Sequence, residues 1–404
     1  MIPAIQPVAG GSVTSARGFL AGATAAGVKP GSQRLDLAVL FSTAPCAAAG
    51  VFTTNRVTAA PVLVCREHIK ESKARAVVAN SGCANASTGA QGLADARETA
   101  ALVAAKLGLP ASEVLVMSTG VIGVQLPMDR IRSGIEKLSL SATGGNDLAK
   151  AIITTDTRTK EVAFSFEIEG VSSTMGGVAK GAGMIHPNMA TMLSVITTDA
   201  HVDPAFLQVA LRQAVEISFN MISIDGDTST NDTVVLLANG LAKNPCIDAS
   251  SPGREAFQEA LDQTCIYLAR EVARDGEGAR CLIEVQVEGA ADTSDARAAA
   301  RTIVSSPLVK SAVYGADPNW GRILAALGRS GAQLDESRLS VFMGDLCVFR
   351  DGQPLSFDAD AARALLRKPE VYLRVRMGLG EGQGKAWGCD LTEEYVVINS
   401  AYTT

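Results

Sequence analysis

Histidine and aromatic residues are scarce in this 404-residue chain. Aromatics make up 4% of it, and its three histidines stand at 68, 186 and 201. None is spaced with another His or with Cys as a zinc site requires, and neither a Gly-x-Ser-x-Gly elbow nor a Ser-His-Asp order stands out. Zinc, haem and serine-triad chemistry are therefore unsupported. The eight cysteines, at 46, 65, 83, 246, 265, 281, 347 and 389, include no CxxC pair. In a chain this long, such spacing points to free, buried thiols in a reducing compartment. A basic run is also missing. Lys plus Arg number 36 against 42 Asp plus Glu, for a net charge of -6. Nucleic-acid and anionic-membrane binding are thus disfavoured. No apolar run approaches the ~18 residues that span a bilayer. The first cation is Arg17, so the start lacks the charged and apolar regions of a signal peptide. The expected location is cytoplasmic.

Apolar residues are plentiful at 47%, with 19% charged, which allows a large core and excludes global disorder. The length suggests two or three structural units. Thr88 and Gln91 form a capping-box pattern ahead of a helix over 94–107, which Gly108 and Pro110 stop. Asp203-Pro204 starts a second helix, with Phe206, Val209, Leu211 and Val215 on its apolar side. Phe257, Leu261, Cys265, Leu268 and Val272 mark a third, and 295–304, 319–328 and 358–367 are further candidates. Strands are expected at 114–117, 162–168, 192–196, 233–237, 282–287, 371–377 and 395–398. The mixture predicts a layered α/β architecture. Polar stretches near 243–254 and 289–296 separate a large N-terminal portion, to about 240, from a smaller C-terminal domain starting near 281.

Two motifs mislead. Asp225-Gly226-Asp227-Thr228-Ser229 starts like a calcium loop, but Thr230 and Leu236 stand where the turn glycine and bidentate Glu belong. An Asx-type turn is the better reading. The glycine-rich run from Gly378 to Gly384 joins strand to strand, whereas a phosphate loop opens a helix. It reads as a flexible hairpin.

The segment Gly176 to Ile196 runs from a glycine-rich loop into an apolar strand, with Ala190-Thr191 at the junction. The plain reading makes Thr191 an ordinary β-former at a strand start. The functional reading makes it a nucleophile freed by self-cleavage. Its hydroxyl attacks the Ala190 carbonyl, and hydrolysis of the resulting ester exposes a new N-terminal Thr. The α-amine so freed, with pKa near ~8, can act as base for its own hydroxyl. Such a site needs neither His nor Asp.

The stretch Lys180-Gly-Ala-Gly-Met-Ile-His-Pro-Asn-Met-Ala-Thr191-Met-Leu closely resembles the signature of the glutamate N-acetyltransferase / ornithine acetyltransferase family of arginine biosynthesis. The resemblance spans essentially the whole chain. It includes Ala79 to Ala86, Met117 to Gly123, Thr154 to Thr157, Ser223 to Asp232, Asp275 to Ala279, Asp317 to Arg322 and Asn399 to Thr404. It implies a layered αββα sandwich of the N-terminal-nucleophile-like ornithine acetyltransferase type, with a smaller α/β C-terminal domain. It implies autocatalytic cleavage of Ala190-Thr191 into an α chain 1–190 and a β chain 191–404, assembled as an α2β2 heterotetramer. Within the second chain, 191–240 would complete the core, 241–280 connect, and 281–404 form the C-terminal domain. Thr191 would take acetyl from N2-acetyl-L-ornithine and pass it to L-glutamate in a ping-pong reaction, with no cofactor and no metal. Some members also accept acetyl-CoA, which admits it as a co-substrate.

The resemblance assigns Thr119 and Gly120 to the oxyanion hole, and Thr154, Lys180, Glu277, Asn399 and Thr404 to substrate binding. Physically, attack on an amide carbonyl makes an oxyanion that needs fixed donors. An α-carboxylate suits a cation such as Lys180, and ornithine's δ-amine suits an anion such as Glu277. Lys180 could equally be an exposed lysine of a glycine loop, and Thr157 is the runner-up to Thr154. Gly120→Ala is expected to slow turnover with little effect on the fold. His186 is expected to shape the precursor rather than act as base. Two rival readings share the pocket: a self-cleaving aminopeptidase or amidase that hands its acyl group to water, and a non-catalytic amino-acid sensor.

Overall fold

The computed structural model describes residues 5–29, 31–186 and 192–401. Ala190, Thr191 and Thr404 lie outside them. Three sheets organise the described residues. The first has four strands, in the spatial order Phe19–Thr24, Leu37–Ser42, Ala76–Cys83 and Val114–Val121. The second has six: Gln6–Pro7, Lys160–Ile168, Val171–Lys180, Leu193–Thr198, Thr233–Ala238 and Ala47–Phe52.

These two sheets stack face to face. Leu40, Val77, Ala79, Leu115 and Met117 of the first share one apolar cluster with Val178, Leu193, Val195, Val235 and Leu237 of the second. The opposite face of the four-stranded sheet packs on the helices Ala60–His68, Gly89–Leu107 and Met128–Lys137. The opposite face of the six-stranded sheet presents Met175, Ala179, Ile196, Val234 and Leu236 to the helices Pro204–Ile217 and Arg254–Arg274. The order of layers is thus helix, sheet, sheet, helix. Leu193–Thr198 and Thr233–Ala238, covered on both sides, are buried at every position and so lack alternation; the hydroxyls of Ser194 and Thr197 are satisfied by the carbonyls of Val178 and Val13.

The helix Arg254–Arg274 carries Phe257, Leu261, Cys265, Leu268 and Val272, all buried. Its cluster continues into the third sheet, of seven strands: Ile222–Ser223, Gly382–Cys389, Leu282–Ala290, Glu370–Arg376, Ser340–Met343, Leu346–Arg350 and Gln353–Pro354.

Several expectations need correction. Residues 395–398 belong to the helix Glu393–Ala401, with Val396 and Val397 exposed. The β-branched pair suggested a strand, but Glu393 and Glu394 in the first turn favour a helix start. The run 176–180 is strand, part of Val171–Lys180. A Cβ on Gly176 would lie 2.3 Å from the Ser12 carbonyl oxygen, so that glycine admits a neighbouring backbone. The Gly378–Gly384 run is no hairpin, because Leu282–Ala290 lies between the strands it joins. The run crosses the end of that strand, and a Cβ on Gly382 would lie 2.1 Å from the Asp292 carbonyl oxygen. Thr88 forms no side-chain cap and donates to Asn85 Oδ1 instead, at 2.7 Å. Val209 faces solvent, since the buried stripe of its helix is Leu207, Ala210, Leu211, Ala214 and Val215. All eight thiols are free, but Cys246 is exposed and Cys347 half-buried. Phe19–Thr24 and Ala47–Phe52 went unrecognised because their Ala- and Gly-rich sequences carry weak β signals. Leu37–Ser42 and Ala76–Cys83 also went unrecognised, and weak β signals do not explain Leu37–Ser42. No helix among the described residues is long and apolar enough to cross a membrane.

Candidate active site

The site forms where three strands end together. Val114–Val121 runs parallel to Ala76–Cys83, and a bulge at Gly82/Cys83 sets Cys83 against both Thr119 and Val121. Gly120 fits this crowding with φ +131°. A Cβ there would lie 2.4 Å from the Gly82 carbonyl carbon and 2.6 Å from Cys83 N. Gly120→Ala therefore disturbs the backbone itself, contrary to the expectation of little effect on the fold. Three buried side chains lock the bulge. Ser118 Oγ donates to Asn80 Oδ1 at 2.7 Å, and Asn80 Nδ2 donates to the Cys83 carbonyl at 2.8 Å. Asn231 Nδ2 donates to the carbonyls of Ala84 (2.6 Å) and Ser118 (2.9 Å).

Lys180 ends the Val171–Lys180 strand, only 8% exposed, so it is not a loop lysine on the surface. Its Nζ lies 3.2 Å from Thr119 Oγ1. Burial lowers the Lys180 pKa, and Asp156, Asp232 and Glu277 oppose that shift. Asp156 is itself a hub. Oδ1 accepts from Lys160 Nζ at 2.6 Å and from Gly181 N at 2.7 Å, while Oδ2 accepts from Thr154 N at 3.0 Å. Burial opposes its ionisation, yet Lys160, Lys180 and these hydrogen bonds hold the carboxyl well below the usual range. Lys160, with no exposed side-chain surface, also reaches Asp275 at 2.6 Å. Thr157 gives both its N–H and its hydroxyl to Asp275. That leaves Thr154 and Thr155 to line the pocket.

Glu277 follows the long helix. Its N–H donates to the Ala182 carbonyl at 2.9 Å. Its carboxylate lies over Gly183, where an added Cβ would stand 2.5 Å from Oε1. Asn399 Nδ2 donates to Glu277 Oε2 at 2.7 Å from the helix that replaces the expected strand.

Residues on both sides of 187–191 are pinned. The Asp225 carboxylate accepts from Met184 N (2.6 Å) and Ile185 N (2.9 Å), and its Oδ1 also accepts from Asp227 N at 3.2 Å. The last contact is the expected Asx turn. Thr228 Oγ1 donates to the His186 carbonyl at 2.8 Å, and His186 Nδ1 lies 3.0 Å from Ser223 Oγ. On the far side of 187–191, Thr233 N donates to the Met192 carbonyl at 2.9 Å.

One pocket thereby collects Thr119, Gly120, Thr154, Lys180, Glu277 and Asn399. Its cavity, about 150 Å³, suits a ligand smaller than those of typical ~300–1,000 Å³ sites. It holds a hydroxyl donor, a cation and an anion within one wall, as an amino-acid substrate with opposite charges requires. Sequence reasoning gave no roles to Asp156, Lys160, Asn231 or Asp232, although it singled out the segments that hold three of them. Asp156 and Lys160 pair four residues apart, but Asp275, Ala84 and Ser118, the other partners of Lys160 and Asn231, lie far along the chain. Among the described residues, no group of three or more His, Cys, Asp or Glu is placed to hold a metal ion.

Known proteins resemble the chain over most of its length. Residues 20–404 match the ArgJ family model. The arginine biosynthesis bifunctional protein ArgJ of Symbiobacterium thermophilum is 55% identical over 397 residues, covering 98% of this chain and 99% of that protein. The protein of the same description from Dehalococcoides mccartyi is 52% identical over 395 residues, covering 98% of each. A crystal structure of arginine biosynthesis bifunctional protein ArgJ from Bacillus halodurans superposes with a TM-score of 0.50 at 45% identity. It covers 51% of this chain and 97% of that one.

Proposed function

Since the chain belongs to the ArgJ family, we propose that it moves acetyl from N2-acetyl-L-ornithine to L-glutamate through an acetyl-enzyme on Thr191. The observation that carries this reading is the single pocket. It gathers Thr119, Gly120, Lys180 and Glu277 between residues 183–185 and 192–193, which flank Ala190-Thr191. Lys180 and Leu193 are ladder partners, so the described residues on either side of 187–191 meet at that pocket.

Thr191 attacks the acetyl carbonyl, its own α-amine taking the hydroxyl proton. Thr119 and Gly120 donate to the oxyanion, and as it collapses the Thr191 ammonium returns its proton to the leaving nitrogen, which departs as the amine of ornithine. Lys180 binds the substrate α-carboxylate. Glu277, steadied by Asn399, receives ornithine's side-chain cation, and Thr154 and Thr404 complete the pocket. L-Glutamate then enters, its amine attacks the acetyl ester, and N-acetyl-L-glutamate leaves. Acetyl-CoA serves as a second donor for the same ester, in keeping with the bifunctional description of the relatives.

The mature enzyme is a two-chain species, 1–190 and 191–404, assembled as α2β2. The relative's crystallised chain, little more than half as long as this one, supports that division. Eight free thiols support a reducing, cytoplasmic setting.

Product analysis tests the reaction. With N-acetylornithine and glutamate together, N-acetylglutamate and ornithine form in equal amounts and initial rates show parallel double-reciprocal lines. Acetate release without glutamate would favour the hydrolase reading, and ligand binding without any product the sensor.

A further inference from the structure

Asp232 is 2% exposed, and its Oδ2 has no hydrogen-bond partner among the described residues. It lines the same pocket as Lys180 and Thr119. A buried carboxyl oxygen without a partner is costly, and native structures keep few of them without a reason. Its backbone is fixed. The Asp232 carbonyl accepts from Thr53 N at 2.9 Å, and the next residue, Thr233, bonds the Met192 carbonyl. Asp232 therefore stands across the ladder from the residue that follows Thr191. Burial pushes its carboxyl well above the usual range, against the pull of Ser229 and Lys180. The continuous chain contains no amine at position 191, whereas cleavage of Ala190-Thr191 creates one.

We propose that Asp232 is a positioning residue whose free carboxyl oxygen accepts a hydrogen bond from the α-amine that cleavage creates at Thr191. The inference rests on the nucleophile assignment above. One amine hydrogen goes to Oδ2, which leaves the nitrogen lone pair for the Thr191 hydroxyl proton. The ammonium formed during attack keeps that acceptor, and its positive charge favours ionisation of the buried carboxyl beside it. No covalent bond to Asp232 is made or broken. None of the described residues donates to Oδ2, and maturation supplies a donor.

The test is Asp232→Asn in the full-length chain, read for cleavage, thermal midpoint, kcat and KM with N-acetylornithine and glutamate. The variant is expected to cleave and to melt near the wild type. Its kcat should fall by about 10²-fold, the scale of a group that governs a general base, while KM for N-acetylornithine moves little. A lost structural contact would instead lower the thermal midpoint and spare the kcat-against-KM split. Unchanged kcat in a cleaved variant overturns the proposal, as does a folded variant that fails to cleave. If the variant does not fold, a crystal structure of the cleaved wild type decides. The Thr191 nitrogen must lie within about 3.2 Å of an Asp232 carboxyl oxygen, and a longer separation overturns the proposal. If the wild-type 191–404 chain takes no acetyl group from N-acetylornithine, the nucleophile reading fails first, independently of Asp232.

Discussion

Lys180 Nζ lies 3.2 Å from the Thr119 hydroxyl oxygen. An ammonium donates and cannot accept. Thr119 must therefore be the acceptor, and its own O–H is left to point elsewhere. The buried lysine thus aims a hydroxyl donor into the pocket in addition to supplying charge. Removing that donor isolates its contribution. Thr119→Val keeps the shape and should lower kcat by about 10²–10³-fold, the cost of one oxyanion donor. Thr119→Ser should keep most of the activity. Steady-state kinetics on both variants checks this, and equal activity in the two would remove Thr119 from the oxyanion hole.

Gly120→Ala should damage folding as well as turnover. The added Cβ meets backbone atoms at 2.4 and 2.6 Å, in a conformation with φ +131°. Neither neighbour is a flexible side chain that can move aside. Strain of this kind costs about 1–3 kcal/mol or more, so the denaturant midpoint should fall measurably. A wild-type midpoint would show that the bulge at Gly82/Cys83 relaxes.

Asn231→Ala tests the clamp behind the oxyanion residues. It strips donors from the carbonyls of Ala84 and Ser118, both inside the protein. Each carbonyl left unpaired costs about 1–3 kcal/mol, and the strand that carries Thr119 loses its tie to Thr233–Ala238. Urea unfolding should show the loss in stability, with a fall in kcat larger than any rise in KM. An activity loss confined to KM would place Asn231 on the substrate instead.

His186 gives a pH dependence. Burial, aided by Arg301, pushes it down to about 4 from an ordinary value of 6.5. Between those values the unfolded chain binds the extra proton and the folded chain does not. Its contribution is therefore complete above about pH 6.5 and is lost as pH falls through about 4. Wild type should lose more stability than His186→Gln between pH 7 and 4.5 in chemical denaturation. Equal losses would show that His186 titrates normally in the folded chain.

Much of this architecture is legible from patterns of burial. The stripe from Phe257 to Val272 announced the helix between the sheets, and Asp203 caps its helix through 3.0 Å bonds from Ala205 N and Phe206 N. The family resemblance supplied site residues that the fold then brings to one pocket. What stayed hidden depends on contacts across the chain. Val396 and Val397 read as strand because local β-propensity ignores tertiary context, yet the helix they sit in points Asn399 at Glu277. Lys180 read equally as a surface lysine, since nothing beside it in sequence reveals Asp156 and Asp232 as its neighbours. Asp232 itself stands out only in three dimensions, where its buried Oδ2 meets no donor among the described residues.

The central claim is an acetyl group carried on Thr191. Purified protein should be exposed briefly to N-acetylornithine without glutamate, then weighed intact under denaturing conditions. The account predicts two fragments, 1–190 and 191–404, with the second heavier by one acetyl group and returned to its original mass when glutamate is added. Two cleaved fragments that never gain an acetyl group, or one continuous chain that turns over normally, would contradict it.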